Sequence, residues 1–374
     1  MENEKRMNNN NTDYGDGFYA EDIMSKRQRY VTASVQSDAP RNNKPPKKKG
    51  KAKKIIVVIM IIILLLILAA GVYIISVLSR VHYTREYPDH TNAEKNGITL
   101  RSENGIENIL IFGEDNRKDS EYGRSDSMIM LTIDKNHKVL KQTSFLRDIY
   151  LYIPDHGYNK LNSAFSIGGA KLAAETIEYN FGIRIDDYIT IDFNSFTDII
   201  DSIGGIDIEL TYDEIVYINW QSYKNKQVTV ETEIDPDSFI YYINSNEENV
   251  ALVHLNGRQA LWYSRDRDSA GSDFDRTKRQ RILIDTLFTK LKNSGPIALL
   301  KAVYSVSGYL TTDISPISLL GKGTDLIGAL KYERKENRLP ANDNYYDVYN
   351  DSGLALQIAD EELEKQRLHE FVFG

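Results

Sequence analysis

Apolar positions fall along this chain in three patterns. The first is an unbroken run: none of the 24 residues 55–78 is charged. At about 1.5 Å of helical rise per residue such a run is roughly 36 Å long, enough to cross the apolar core of a bilayer with some tilt. The second pattern is a set of short aliphatic or β-branched stretches bounded by turn residues, at 108–112, 128–133 and 139–146. These read as buried strands of one sheet. The third is helical: Ala164, Phe165, Ile167, Leu172, Ala173, Ile177 and Phe181 give a broad apolar surface over 161–181, with Gly182 as its stop. A strand at 188–193, a helix at 194–203, a Gly204-Gly205 turn and a strand at 206–210 follow. Strands interleaved with helices predict a layered α/β domain.

Further along the pattern weakens. Residues 212–250 show no clear period and read as loops and short irregular elements. Asn256-Gly257 opens a helix through Trp262, a long helix covers 276–291, and another follows Ser315-Pro316. The tail 345–358 reads as an edge strand closing the sheet. The expected organisation is a basic, disordered cytoplasmic tail at 1–54, a transmembrane helix at 55–79, a polar extracellular stalk at 80–104 and one large domain at 105–374.

Charge changes this picture in two ways. Residues 41–54 carry eight Lys or Arg and no acid. A basic flank of this kind stays on the cytoplasmic side, so the part beyond the span is expected outside the cell. A cleaved signal peptide fits less well, because the apolar run is long, begins only after 54 residues and ends in no small-residue cleavage site. Of the chain's 46 basic and 54 acidic residues, 1–54 hold 13 and 7; the remaining 33 and 47 give a formal charge of −14. Bulk charge on the large domain therefore argues against binding nucleic acid or anionic lipid. With no cysteine, thiol chemistry, disulfides and Cys-based zinc sites are excluded.

Candidate chemistry lies where charges interrupt the apolar stretches. Asp115 and Arg117 follow the first strand, Arg124 and Asp126 open the second, and Arg147-Asp148 end the third. Each pair alone is also what a solvated turn looks like, but polar groups gathered at strand ends of an α/β sheet form the usual ligand crevice. A second cluster places Arg265, Arg267, Arg276, Lys278, Arg279 and Arg281 within seventeen positions. Arg276 and Gln280 are four apart and share a helix face. Guanidinium forks match phosphate oxygens in pairs, and a carboxylate pair holds a hard cation, which together describe a polyphosphate site. A surface network of ion pairs is the simpler alternative.

These residues carry a resemblance. Gly113-x-Asp115-x-Arg117, Arg124-x-Asp126-x-Met128, Arg147-Asp148-x-Tyr150, Lys160-x-Asn162-x-Ala164-Phe165, Gly168-Gly169, Asp192-Phe193, Gly204-Gly205-Ile206, Leu255-x-Gly257-x-Gln259-Ala260-Leu261 and Arg265-x-Arg267 through Arg276-x-x-Arg279-Gln280 occur in the order seen in the LytR-CpsA-Psr family. The similarity spans 108–287, with C-terminal helices and the edge strand in 288–374. Leu146 stands where the family usually has Pro, and Asp268 where His is common.

The resemblance implies a three-layer α/β/α fold with a mixed central sheet and an apolar tunnel for a lipid tail. It implies a phosphotransferase of the Gram-positive envelope that moves a glycopolymer from a polyprenyl pyrophosphate carrier onto peptidoglycan, with Mg²⁺ at the pyrophosphate. On that reading Asp115, Asp126 and Arg147 are catalytic, and Asp115 and Asp126 hold the metal. Arg117, Arg124, Lys160, Arg265, Arg267, Arg276, Arg279 and Gln280 bind the pyrophosphate, while Ala164, Phe165, Leu172 and Ile177 line the lipid cavity. From the residues alone that apolar helix face reads first as ordinary core. Other readings are a non-catalytic binder or a hydrolase of the same lipid-linked ligand, or a regulator of envelope gene expression. A DNA-binding regulator needs a basic helix-turn-helix on the cytoplasmic side, and residues 1–54 offer no apolar periodicity for one.

Overall fold

The computed structural model describes residues 49–115, 123–225, 233–266, 272–350 and 353–374. Most of the tail 1–54, with Arg117 and Arg267, therefore lies outside the described residues. The chain divides into two units, residues 1–67 and 68–374. The described part of the first is helical and belongs to α1 (Lys49–Leu78). Its stretch Val58–Leu78 has a mean hydropathy of 3.3 and no buried share, and is a candidate membrane anchor.

After α1 come β1 (His82–Tyr83), α2 (His90–Lys95), β2 (Ile106–Asp115), β3 (Arg124–Asp134), β4 (Val139–Phe145), β5 (Tyr150–Ile153), β6 (Gly157–Lys160), α3 (Leu161–Phe181), β7 (Asp187–Asp192) and α4 (Phe193–Ser202). The chain continues through β8 (Ile206–Thr211), α5 (Tyr212–Lys224), β9 (Tyr242–Ile243), β10 (Asn249–Leu255), α6 (Gly257–Arg265), α7 (Asp273–Asn293), α8 (Pro296–Ser307) and β11 (Thr311–Thr312). It ends with α9 (Pro316–Ala329), β12 (Glu333–Leu339), β13 (Tyr345–Asn350), β14 (Gly353–Ile358) and α10 (Glu361–Phe373).

The main sheet has the order β1-β11-β7-β2-β3-β4-β12. It is mixed: β2 runs parallel to β7 and β4 to β12, while β3 is antiparallel to both its neighbours. Alternation along the strands makes the layers. Leu110, Phe112, Met128 and Met130 pack with Phe165, Ala173 and Ile177 of α3 and Leu368 and Val372 of α10 on one face. Ile109, Leu131 and Ile133 pack with Phe288 of α7 and Ala329 of α9 on the other. The result is the expected three-layer α/β/α arrangement. A second core gathers β8, β10, α4, α5 and α6 against Leu283 of α7.

Four local expectations are corrected. Residues 80–104 are not a free stalk: β1 pairs with β11, Ala93 of α2 is buried, and the His90 ring bonds the Glu178 carboxylate at 2.8 Å. The start of 212–250 is a helix, α5, opened by a capping box in which Thr211 and Glu214 satisfy each other's backbone N–H. Its buried residues are only Glu214, Ile215, Ile218 and Ser222, and two of the four are polar, so no apolar period shows. The segment 345–358 forms a separate hairpin of β13 and β14. The sheet's edge beside β4 is instead β12, a strand with five charged residues among its seven, which is how an edge resists pairing with other chains. Finally, α3 is broken where Gly168 and Gly169 leave helical geometry; Gly169 has φ 64° and ψ −160°, a region only glycine occupies readily.

Asp313, just after β11, is almost fully buried, and its Oδ1 accepts from the Tyr188 amide at 2.8 Å. Burial, reinforced by the neighbouring Asp187 carboxylate, pushes its pKa up to about 7. A carboxyl whose folded pKa exceeds its unfolded value makes stability fall as pH rises, here between about pH 4 and 7. Asp313→Asn keeps the acceptor and removes the charge. It is expected to raise the thermal midpoint at pH 8 and leave it nearly unchanged at pH 4, which melting curves at the two pH values would check.

Candidate functional site

The C-terminal ends of β2, β4, β7 and β12 and the start of β3 share one edge of the sheet, and the polar residues that interrupt the strands meet there. Asp115 is the last residue of β2, across from Arg124. The register between β2 and β3 shifts there: Gly113 faces Ser127 and Glu114 faces Ser125, which leaves Asp126 as the extra residue of a β-bulge. A bulge re-aims the side chain it carries. Asp126 accepts a hydrogen bond from Arg147 Nη1 at 2.6 Å.

Arg147 follows β4 on a turn pinned from below by α3, since the amides of Leu161 and Asn162 donate to the carbonyls of Ile149 and Arg147 at 2.8 and 3.0 Å. Its side chain is 19% exposed and its guanidinium reaches three carboxylates: Asp126, Asp148 at 3.2 Å and Asp273 at 3.8 Å. Burial lowers its pKa, but Asp273, Asp126 and Asp148 outweigh that and raise it. Lys160, the N-cap of α3, joins through Asp148 at 3.3 Å, and the buried Arg276 joins through Asp273 at 2.9 Å. Gln280, one turn further along α7, has a buried Oε1 with no hydrogen-bond partner. Three cations are thus held in place by three carboxylates, with the first turns of α3 and α7 opening onto them.

Beside this network lies a cleft of about 600 Å³ lined by Asp115, Asp192, Phe193, Trp262 and Arg265 among others. Arg265 ends α6, its guanidinium 4.7 Å from the centre of the Phe193 ring and 5.7 Å from that of Trp262. Asp192 caps α4 by accepting from the amides of Asn194 and Ser195. The helix α6 can approach this edge because Gly257 lies against the Thr197 carbonyl; a Cβ there would fall 2.0 Å from that oxygen.

Six of the predicted site residues therefore meet at this sheet edge: Asp126, Arg147, Lys160 and Arg276 in the network, Asp115 and Arg265 at the adjoining cleft. Arg124 is exposed on β3. Arg279 stands apart from the network. It is buried and bonded to Glu214 Oε1 at 2.8 Å and to the Asp266 carbonyl at 3.1 Å, tying α5, α6 and α7 together rather than facing Arg147. Breaking such a pair leaves an uncompensated buried carboxylate, so Arg279→Ala is expected to destabilise by about 3–5 kcal/mol. Urea unfolding would check this. Ala164, Phe165 and Ile177 sit in the core under the sheet, Phe165 5.2 Å from the Phe112 ring, and Leu172 packs partly buried at the α3 break. Asp273 was missed by sequence reasoning. The Ser272-x-x-Asp275 capping box, which places Asp273 in the first turn below Arg276, was the available signal.

Known proteins resemble this chain in sequence and in fold. The regulatory protein MsrR of Staphylococcus aureus (strain Mu50) is 29% identical over 304 residues, 80% of this chain and 85% of its own length. The polyisoprenyl-teichoic acid–peptidoglycan teichoic acid transferase TagV of Bacillus subtilis is 33% identical over 196 residues, 51% of this chain and 45% of its own. The fold matches that of TagT from B. subtilis, solved bound to LI-WTA, with a TM-score of 0.57 at 21% identity over 78% of this chain and 99% of that one. TagT with bound octaprenyl pyrophosphate lipid matches with a TM-score of 0.54 at 19% identity, over the same shares. The LytR_cpsA_psr family profile matches residues 72–367, well over half the chain. With the ordered motifs and the sheet-edge network, that match means the chain belongs to the LytR-CpsA-Psr family.

Proposed function

We propose that this protein is a phosphotransferase that moves a glycopolymer from a polyprenyl pyrophosphate carrier onto peptidoglycan or another envelope acceptor, releasing prenyl phosphate. The observation that carries the reading is the Arg147 network at the sheet edge, where Arg147, Arg276 and Lys160 are already oriented by carboxylates. Donors fixed before the ligand arrives cost no reorganisation when charge develops on phosphorus. The names of TagV and the ligands of TagT support the same substrate class.

In the reaction an acceptor sugar hydroxyl attacks the phosphorus that bears the glycan. The new O–P bond forms as the bridging P–O bond breaks, its electron pair leaves with prenyl phosphate, and the hydroxyl proton passes to a carboxylate of the site or to water. Phosphoryl transfer depends mainly on positioning and charge neutralisation. Arg147, Arg276 and Arg265 grip phosphate oxygens, Lys160 adds a point charge, and Gln280 orients the group it meets.

The donor set fits magnesium. Asp115 and Asp126 stand on adjacent strands and offer hard oxygen ligands, and Mg²⁺ characteristically takes one or two protein carboxylates and completes its shell with water and phosphate oxygens. When bound, it would neutralise charge on the pyrophosphate beside these carboxylates. The basic flank of the apolar helix supports a cytoplasmic N-terminus and an external domain.

The test is transfer itself. Full-length protein in lipid discs, given a synthetic polyprenyl-pyrophosphate glycan and peptidoglycan fragments, should yield prenyl phosphate and a glycan–phosphate–peptidoglycan adduct by mass spectrometry. Prenyl phosphate with a free glycan phosphate would identify a hydrolase instead, and no turnover with tight lipid binding a non-catalytic binder.

A further inference from the structure

The helix α8 turns buried Ala302 inward and leaves Ile297, Leu300 and Tyr304 at 72%, 49% and 40% exposure. Those three positions share one face of a helix. An exposed apolar stripe of this kind calls for a partner, and the contacts of α8 say which. The Tyr73 hydroxyl donates to the Leu300 carbonyl at 2.6 Å, and the Arg80 guanidinium sits 4.5 Å over the Tyr304 ring. Tyr73, Arg80 and α8 all belong to the unit 68–374.

Tyr73 lies five residues inside the end of the apolar stretch Val58–Leu78, about 7.5 Å along the helix axis. Helical side chains lean toward the N-terminus, so its hydroxyl lies no shallower than its backbone. Leu300 is therefore level with the last turns of the span, and Tyr304 with Arg80 just beyond it. The order of the two contacts gives a direction: α8 rises away from the span from its N-terminus to its C-terminus, which puts Ile297 deeper than Leu300. Residues 286–312 contain no acid, although the domain is acidic overall, and Lys292 and Lys301 are exposed beside the stripe. Apolar side chains flanked by lysines suit the headgroup boundary of an anionic leaflet.

We propose that α8 is a second membrane contact, inserted N-terminus first into the bilayer interface beside the anchor. The inference rests on reading α1 as a membrane span. It bears on function because Tyr309, two residues after α8, lines the cleft that also holds Asp115 and Arg265. Seating α8 brings the mouth of that cleft to the surface where a lipid-linked pyrophosphate lies.

The absence of cysteine makes the test direct. Ile297→Cys, Ile62→Cys and Glu333→Cys are each labelled with an environment-sensitive nitrobenzoxadiazole in the full chain, reconstituted in vesicles of equal phosphatidylcholine and phosphatidylglycerol. Ile62 is mid-span, and Glu333 starts β12 at the sheet edge opposite the site. The expected result is quenching of the label at 297 by nitroxide-labelled lipid roughly twofold or more above that at 333, with 62 also lipid-exposed. A label at 297 quenched by aqueous iodide as fully as that at 333, with 62 still in lipid, overturns the proposal and leaves the anchor standing. A water-exposed label at 62 overturns the anchor reading and the proposal with it.

Discussion

Arg147→Ala is expected to lower glycopolymer transfer by on the order of a hundredfold or more, about 2.7 kcal/mol of transition-state stabilisation. The side chain bonds Asp126 at 2.6 Å, Asp148 at 3.2 Å and Asp273 at 3.8 Å, so its loss removes a fork of donors and leaves three carboxylates facing one another where a polyanion must bind. The fall should appear in kcat as well as in KM. Folding should survive, because the turn that carries Arg147 is held by backbone bonds from α3 that the substitution leaves in place. Steady-state kinetics beside a melting curve would separate the two. A folded variant that transfers at the wild-type rate would make the network structural and move the site elsewhere.

Asp126→Asn is expected to abolish magnesium-dependent transfer while retaining binding of the lipid-linked ligand. The bulge aims Asp126 into the site, and the amide is nearly isosteric, so the shape is kept and one charge is lost. A neutral amide is a poor magnesium ligand, whereas the cations of the network still attract phosphate. Calorimetry with a prenyl pyrophosphate analogue should show the enhancement by Mg²⁺ disappear from the variant while metal-free binding persists. Full activity of the variant, or undiminished wild-type transfer in excess chelator, would sink the metal-assisted mechanism.

Much of the candidate site was legible because its residues interrupt apolar strands. A charge at the end of a buried strand has to emerge at a sheet edge, and Asp115, Asp126 and Arg147 do so at the same one. Arg279 has the spacing of a ligand-binding arginine, and nothing local reveals that Glu214, 65 residues earlier, bonds it. The strand β12 escaped notice for a related reason. Glu333 to Leu339 has no apolar alternation, and its identity as a strand comes from pairing in register with β4.

Covalent sequence alone decided what depends on neighbours along the chain. The apolar run of 24 residues determined a helix able to span a bilayer, strand alternation determined which face of the sheet each side chain meets, and capping pairs such as Asn256 with Gln259 determined where helices start. Tertiary structure decided which charges are committed to one another. Asp273 meets Arg147 from 126 residues away because two helix starts share a sheet edge, and β1 joins that sheet only because β11 arrives beside it. Such contacts rest on closing long loops, whose entropic cost the whole core must offset, and no window of sequence contains the core.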